Sequence, residues 1–73
     1  MLPDADATRN LGAVGSRWQN VYTADMHFSN VGNGGNSVDG SEGNWTLQEG
    51  KDDIFMINNI TGKKYKISLT PVT

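Results

Sequence analysis

The sequence predicts an all-β fold, and three observations lead to that prediction. Apolar and polar residues alternate with a period of two in several stretches, which is the pattern of a strand with one buried face. Glycine, asparagine, serine and threonine supply 28 of the 73 residues, so turns and loops occupy much of the chain. No ten consecutive residues show the 3.6-residue period of an amphipathic helix.

The N-terminal part of the chain is predicted to be an extended lead-in followed by a strand. Residues 1–17 carry proline, aspartate, asparagine and glycine between single apolar residues, and no period fits them. Alternation begins at Trp18, and the apolar residues then fall mostly at even positions up to residue 28. We therefore expect residues 18–29 to form a strand block with a buried face and a wetter face, with His27 on the wetter one.

Residues 30–43 are predicted to form a long loop. They include five glycines and three asparagines, with Asn-Gly and Asp-Gly as strong turn dipeptides. Because the loop offers little apolar area to bury, we expect it to be dispensable for folding and to be ordered only by contacts made elsewhere. A long polar loop is also the best candidate for partner contacts, for which we select Asn33, Asn36 and Asp39.

Residues 44–73 are predicted to form a three-stranded antiparallel meander. The strands are expected at residues 45–49, 54–57 and 63–70, with polar reversals between them. Pro71 ends regular pairing because proline has no amide hydrogen to donate. Trp18 and Trp45 both lie at the start of alternating stretches, and core packing is the preferred interpretation for both.

The size of the chain indicates that it gains stability by association. A domain of this length buries only roughly 60–65% of the surface that its unfolded chain exposes. Disulfides and the usual zinc sites are excluded, because the sequence has no cysteine and only one histidine. Contacts with other chains are therefore the expected additional source of stability.

The composition also argues against several classes of function. Nothing pairs the carboxylates with a base, and no nucleophile motif is present, so we expect no enzyme, no catalytic residue and no cofactor or metal site. The only basic cluster is Lys63, Lys64 and Lys66, in a chain of net charge −2. These lysines are interpreted as protection of a strand edge rather than as a nucleic-acid site. The composition is not that of a membrane span.

Two blocks of the sequence resemble a known family. The first joins Asn10-Leu11-Gly12 to Gly15-Ser16-Arg17-Trp18-Gln19-Asn20-Val21-Tyr22-Thr23-Ala24-Asp25, and the second consists of Asn44-Trp45-Thr46-Leu47-Gln48-Glu49-Gly50, Ile54-Phe55-Met56-Ile57-Asn58-Asn59 and Thr61-Gly62-Lys63-Lys64-Tyr65. Both are similar to segments of short modules near the ends of tailed-bacteriophage fibre proteins. The resemblance covers about fifty residues and leaves out residues 31–43.

The resemblance implies an intertwined homotrimeric β module that trimerises and caps a tail fibre or a similar fibre. We accordingly predict a trimer interface that includes Trp18, Tyr22, Met26 and Phe28, since large flat side chains repeated around a threefold axis cover much apolar area. The implied partners are other copies of the chain and other phage structural proteins. The implied location is the virion, after synthesis in the bacterial cytoplasm.

Three alternatives stay open at this point. One is a tip module that binds glycans or proteins of the host surface, through the loop or through stacking on tryptophan. Another is a head fibre or capsid decoration protein. In a trimer, three copies of His27 could also meet near the axis and bind a metal ion or an anion, although a solvated or interface histidine is the plainer interpretation.

Overall fold

The computed structural model describes all 73 residues and confirms the all-β class. Its four strands are β1 (Met26–Ser29), β2 (Asn44–Glu49), β3 (Ile54–Asn58) and β4 (Lys64–Lys66). They form one antiparallel sheet in the order β1-β2-β3-β4, so each strand lies beside its neighbour in the sequence. The sheet is a single layer, and no other element packs on it.

Two short reversals connect the last three strands. Between β2 and β3, the amide of Gly50 donates to the carbonyl of Asp53 at 2.7 Å. Between β3 and β4, Asn58 organises the turn, because its side-chain oxygen accepts the amides of Ile60 and Thr61. Gly62 closes this turn with a φ of +78°, a conformation that glycine adopts without steric cost.

The loop of residues 30–43 connects β1 directly to β2. Its base is closed by two bonds: the amide of Asn30 donates to the carbonyl of Gly43 at 3.2 Å, and the amide of Gly43 donates to the side-chain oxygen of Asn30 at 2.7 Å. The strand of the N-terminal block therefore belongs to the same sheet as the strands of residues 44–73. The sequence had instead predicted that the strand of residues 18–29 lies apart from the meander of residues 44–73.

Strand β1 is shorter than predicted, since it begins at Met26 and not at Trp18. Met26 lies opposite Leu47 in an antiparallel pair, so a continuation of β1 would reach the end of β2 at Glu49 after two residues. Residues 17–25 make no backbone-to-backbone hydrogen bond. The alternating pattern is present there, but the chain supplies no strand for it to pair with.

Strand β4 is also shorter than the predicted residues 63–70, for the same reason. Lys66 lies opposite Phe55, and one further bond joins the amide of Ile67 to the carbonyl of Ile54 at 2.9 Å. Strand β3 begins at Ile54, so residues 68–73 have no neighbouring strand.

No apolar residue is buried in the chain. Thr46 is the only buried residue, with 4% of its surface exposed. The expected buried strand face and the core positions of Trp18 and Trp45 are therefore wrong for a single chain, since Trp18 is 61% exposed and Trp45 is half-buried. The physical reason is that nothing covers either face of the sheet.

The whole chain is open in shape. Its accessible surface is 6790 Å², whereas a compact protein of 7.9 kDa would expose about 4,400 Å². Its radius of gyration is 15.0 Å, against about 11 Å for a compact domain of this length. Both values indicate a fold whose apolar surface is not covered by the chain itself.

Candidate assembly surface

One face of the sheet is mostly apolar, and its polar members in the strands are Glu49 opposite Ile54 and Asn58 opposite Trp45. Residues directly opposite each other in antiparallel strands point to the same face, so the register defines which side chains share it. We call this set the apolar face: Met26, Phe28, Trp45, Leu47, Ile54, Met56 and Tyr65. Every member is exposed or half-buried in the single chain. The set forms a continuous surface across all four strands.

The aromatic residues of the apolar face are in contact. The rings of Trp45 and Tyr65 lie with centroids 5.6 Å apart and planes tilted by 44°. This distance is in the range at which tilted aromatic pairs attract each other. Phe28 lies directly opposite Trp45 on the neighbouring strand and is 48% exposed. The face therefore carries a cluster of flat side chains with much of its area open to solvent.

The four predicted interface residues do not lie together. Met26 and Phe28 belong to the apolar face, where they are 36% and 48% exposed. Trp18 lies beside Gly12 of the lead-in, where a Cβ atom on the glycine would be 3.5 Å from the indole ring. Tyr22 is 92% exposed. The structure thus brings two of the four predicted residues into one surface and leaves two on the extended segment before it.

The sequence did not indicate the larger part of the apolar face as an interface. Trp45, Leu47, Met56 and Tyr65 join Met26 and Phe28 through the pairing of β1 with β2. The alternation of residues 45–49 was a usable signal for which side chains share a face. The pairing across the loop of residues 30–43 was not indicated by any local pattern.

The opposite face carries a polar network around Thr46. The Thr46 hydroxyl shares a hydrogen bond of 2.9 Å with Nδ1 of His27. It also accepts a bond of 2.9 Å from the side-chain amide of Asn59, which donates in addition to the side-chain oxygen of Asn44 at 3.0 Å. His27 is therefore engaged within the sheet. The metal or anion alternative for His27 needs further copies of the chain, and a single chain does not test it.

The lysines of β4 lie on this opposite face. Lys64 and Lys66 flank Tyr65 and are exposed on a strand that forms one edge of the sheet. Charged side chains on a short edge strand discourage pairing with a further strand. This placement accords with the interpretation of the basic cluster as edge protection.

The loop of residues 30–43 holds itself together by hydrogen bonds. The side-chain oxygen of Asn36 accepts hydrogen bonds from the backbone amides of Val38 and Asp39. The side-chain nitrogen of Asn36 donates to the carboxylate of Asp39 and to the backbone carbonyl of Ser41. Gly35 packs against the carbonyl of Gly40 so closely that a Cβ atom would collide with it. The expectation that this loop is ordered only by outside contacts is wrong, because its asparagine, aspartate and serine side chains satisfy its own backbone.

Two of the three candidate contact residues in the loop, Asn36 and Asp39, form hydrogen bonds that hold the loop together. Asn36 is central to the network just described. Bonds from the Ser41 amide, the Ser41 hydroxyl and the Asn36 amide lower the pKa of Asp39 from 3.8 to about 2. The side chain of Asn33, in contrast, has no hydrogen-bond partner within the chain and is exposed. Contact of these residues with a partner stays a prediction.

A groove lies where the loop meets the end of the sheet. Its volume is about 520 Å³, and its lining combines the rings of Phe28 and Trp45 with polar side chains that include Asn30, Glu42 and Asn58. Most of these polar groups already bond within the chain. Glu42 uses one carboxylate oxygen to accept the amide of Gly32 at 2.8 Å. The groove thus combines two aromatic rings with a polar rim, most of whose groups are already hydrogen-bonded within the chain.

Two further features bear on the kind of site. No group of three or more histidine, aspartate or glutamate side chains is close enough to hold a metal ion. The structure has no helix that is long and apolar enough to cross a membrane.

Comparisons with family models, with curated proteins and with solved structures find no match.

Proposed function

We propose that this chain is a non-enzymatic structural module of a tailed-phage virion, which forms a homotrimer and caps a tail fibre or a similar fibre. The observation that carries the proposal is the apolar face, which spans all four strands and whose members are all exposed or half-buried in the single chain. The phage context comes from the sequence resemblance alone.

The area of exposed surface supports assembly with other copies. The chain exposes roughly 2,400 Å² more than a compact protein of its mass. A stable interface of ordinary size takes about 800 Å² from each partner, and a subunit of a trimer has two neighbours. The excess is therefore large enough for both interfaces. A contiguous exposed apolar surface is also a common mark of an interaction site.

The segment of residues 17–25 supports an exchange of strands between copies. Its sequence has the alternation of a strand, its backbone makes no hydrogen bond to another stretch of backbone, and Trp18 and Tyr22 are exposed to solvent. A neighbouring chain can supply both the missing backbone bonds and the cover for these rings. An intertwined trimer would use the segment in this way.

Immunoelectron microscopy of phage particles that encode the chain tests its position in the virion. We expect antibodies against the chain to label the ends of tail fibres. Labelling of the heads would support the head fibre or decoration alternative instead. The absence of label from every intact particle, with label on the purified protein, would contradict a virion function.

A module that binds host-surface glycans is the second candidate, and the groove beside the loop favours it. Sugars are held by aromatic rings with polar groups around them, and Phe28 and Trp45 present such rings. The two candidates differ at Phe28, because a neighbouring chain that covers this ring also closes the groove. Glycan arrays probed with the wild-type chain and with the Glu42→Gln variant distinguish them. Reproducible binding that the variant weakens would support a glycan site.

A further inference from the structure

The Asn33-Gly34 dipeptide differs from the seven other asparagines of the chain, since no other asparagine is followed by glycine. We propose that Asn33 is a site of spontaneous deamidation, at which the protein acquires a negative charge in the loop of residues 30–43 without the action of an enzyme. The proposal concerns the chemistry of the folded loop and does not depend on the function proposed above.

The geometry around Asn33 leaves both reacting groups free. The side-chain amide of Asn33 makes no hydrogen bond, and the residue is exposed. The backbone amide of Gly34, which must act as the nucleophile, also makes no hydrogen bond. Apart from Gly34 and its two chain neighbours, no residue has an atom within 4 Å of the position that a Cβ atom on Gly34 would occupy. The surroundings of the dipeptide are therefore open, and neither reacting group has to break a hydrogen bond before the ring closes.

The second turn dipeptide of the loop, Asp39-Gly40, is held in place by contrast. The amide of Gly40 donates to the carbonyl of Asn36 at 3.2 Å. The carboxylate of Asp39 accepts bonds from the Ser41 amide, the Ser41 hydroxyl and the Asn36 side chain. The analogous ring closure at Asp39 would have to break these bonds first. The two dipeptides look equally reactive in the sequence, but in the structure only the reacting groups of Asn33-Gly34 are free of hydrogen bonds.

The reaction proceeds in two steps and consumes one water molecule. Gly34 N loses its proton to solvent hydroxide and attacks Cγ of Asn33, so that a bond between N and Cγ forms, the bond between Cγ and Nδ2 breaks, and ammonia leaves with a proton taken from water. Water then opens the resulting succinimide at either carbonyl carbon. The products are aspartate or isoaspartate, and the net change is an amide and water converted to a carboxylate and ammonium.

The consequence is a change of charge at a place that the loop tolerates. Asn33 contributes to the loop only through its backbone amide, which donates to the carbonyl of Asn30 at 2.9 Å. In the aspartate product the new carboxylate is at the side chain and leaves the bonds of Asn36 and Asp39 in place, whereas the isoaspartate product also lengthens the backbone by one carbon at residue 33. The formal net charge of the chain changes from −2 to one unit more negative.

Peptide mapping by mass spectrometry after incubation of the folded protein at mildly alkaline pH tests the proposal. We expect deamidation at Asn33 to be at least roughly tenfold faster than at Asn36, whose side chain is fully bonded. Isomerisation at Asp39 should stay undetected in the folded protein and appear in urea, where the loop bonds are lost.

Two variants complete the test. Asn33→Gln removes the reactive geometry and should abolish the charge change seen by isoelectric focusing. Gly34→Ala should slow it, because a side chain at Gly34 hinders ring closure. Deamidation of the folded wild type at Asn36 as fast as at Asn33, or an unchanged charge shift in Asn33→Gln, would overturn the proposal.

Discussion

Thr46 is the most buried residue of the chain, and its hydroxyl on β2 bonds to side chains from two other segments. It links His27 on β1 with Asn59 in the turn after β3. A buried hydroxyl that has its partners contributes about 0.5–1.5 kcal/mol of net stability, and its loss leaves those partners without a bond. At the scale of single residues, this network is the best-defined polar contact between strands.

We expect Thr46→Val to lower the free energy of unfolding by about 1–3 kcal/mol. The valine side chain keeps the volume and the branched shape, and it removes only the hydroxyl. Thr70→Val is the matched control, because Thr70 is exposed and makes no hydrogen bond, and its effect should stay within about 0.5 kcal/mol. Denaturant unfolding measures both values. Equal stability of the two variants would contradict the role assigned to Thr46.

The acidity of Asp39 gives a second prediction at this scale. Its pKa is lowered from 3.8 to about 2 by bonds from Ser41 and Asn36 to the charged form. The contribution of Asp39 to loop order is therefore complete above pH 3.8 and is lost as the pH falls through about 2. We expect a nuclear magnetic resonance titration of its carboxyl carbon to have a midpoint near 2.

The Ser41→Ala variant provides the comparison for this titration. It removes the hydroxyl bond and keeps the backbone bond, so the midpoint of Asp39 should move upward. A wild-type midpoint at the ordinary value of 3.8 would show that the loop network does not form in solution.

At the scale of elements, the reversals and the ends of β2 and β3 were predicted from the sequence to within one residue, whereas the start of β1 and the end of β4 were not. Local residue chemistry determines the turn at residues 58–62, where Asn58 and Gly62 satisfy the bonds and dihedral angles themselves. The start of β1 and the end of β4 depend on where β2 and β3 end. That information lies in distant residues, and a pattern of period two does not contain it.

The apolar face as a whole could not be predicted from the sequence either, because it depends on the pairing of residues that are distant in the chain. Alternation indicated which residues of β1 and β2 share a side, but the pairing of Phe28 with Trp45 joins residues on either side of a long loop, and no local pattern indicates it. The internal network of that loop was missed as well. Its signal was the set of asparagine, aspartate and serine residues, whose side chains bond to nearby backbone.

Replacement of residues 32–42 by a short Gly/Ser link is the prediction for the loop as an element. We expect the stability of the chain to change by roughly 1 kcal/mol or less, because closure entropy varies slowly with loop length. The network to be removed lies within the loop, and the bonds between Asn30 and Gly43 at its base remain. Thermal unfolding and sizing measure the outcome.

Asn30→Ala in the full-length chain is the matched comparison for the loop replacement. It removes the side-chain bond to Gly43 beside the sheet and should cost more than the replacement does. Loss of assembly on replacement would show that the loop is a structural part of the interface.

At the scale of the whole molecule, a one-layer sheet with open faces is not a complete core. Domains are built from packed layers, and here the second layer is absent from the chain. Association with a partner was predicted from length and from the lack of cysteine, and it stays a prediction. The surface that meets the partner required the register of the four strands.

Trp18→Ala tests whether a neighbouring chain covers the segment of residues 17–25. In the single chain Trp18 is 61% exposed, so its truncation alone would have a small effect. If a second copy buries it, the assembly should lose on the order of 3–5 kcal/mol per chain. Val38→Ala is the control, since Val38 is 93% exposed in the loop. A melting temperature of the Trp18 variant within a few degrees of wild type would exclude Trp18 from the interface.

The mass of the protein in solution tests the central claim most directly. Light scattering at micromolar concentration should give three times the chain mass of 7.9 kDa, because in the proposed assembly two neighbouring copies cover the apolar face. Circular dichroism of the same sample reports whether the sheet is formed. A mass of one chain together with a full β-sheet spectrum would contradict the account.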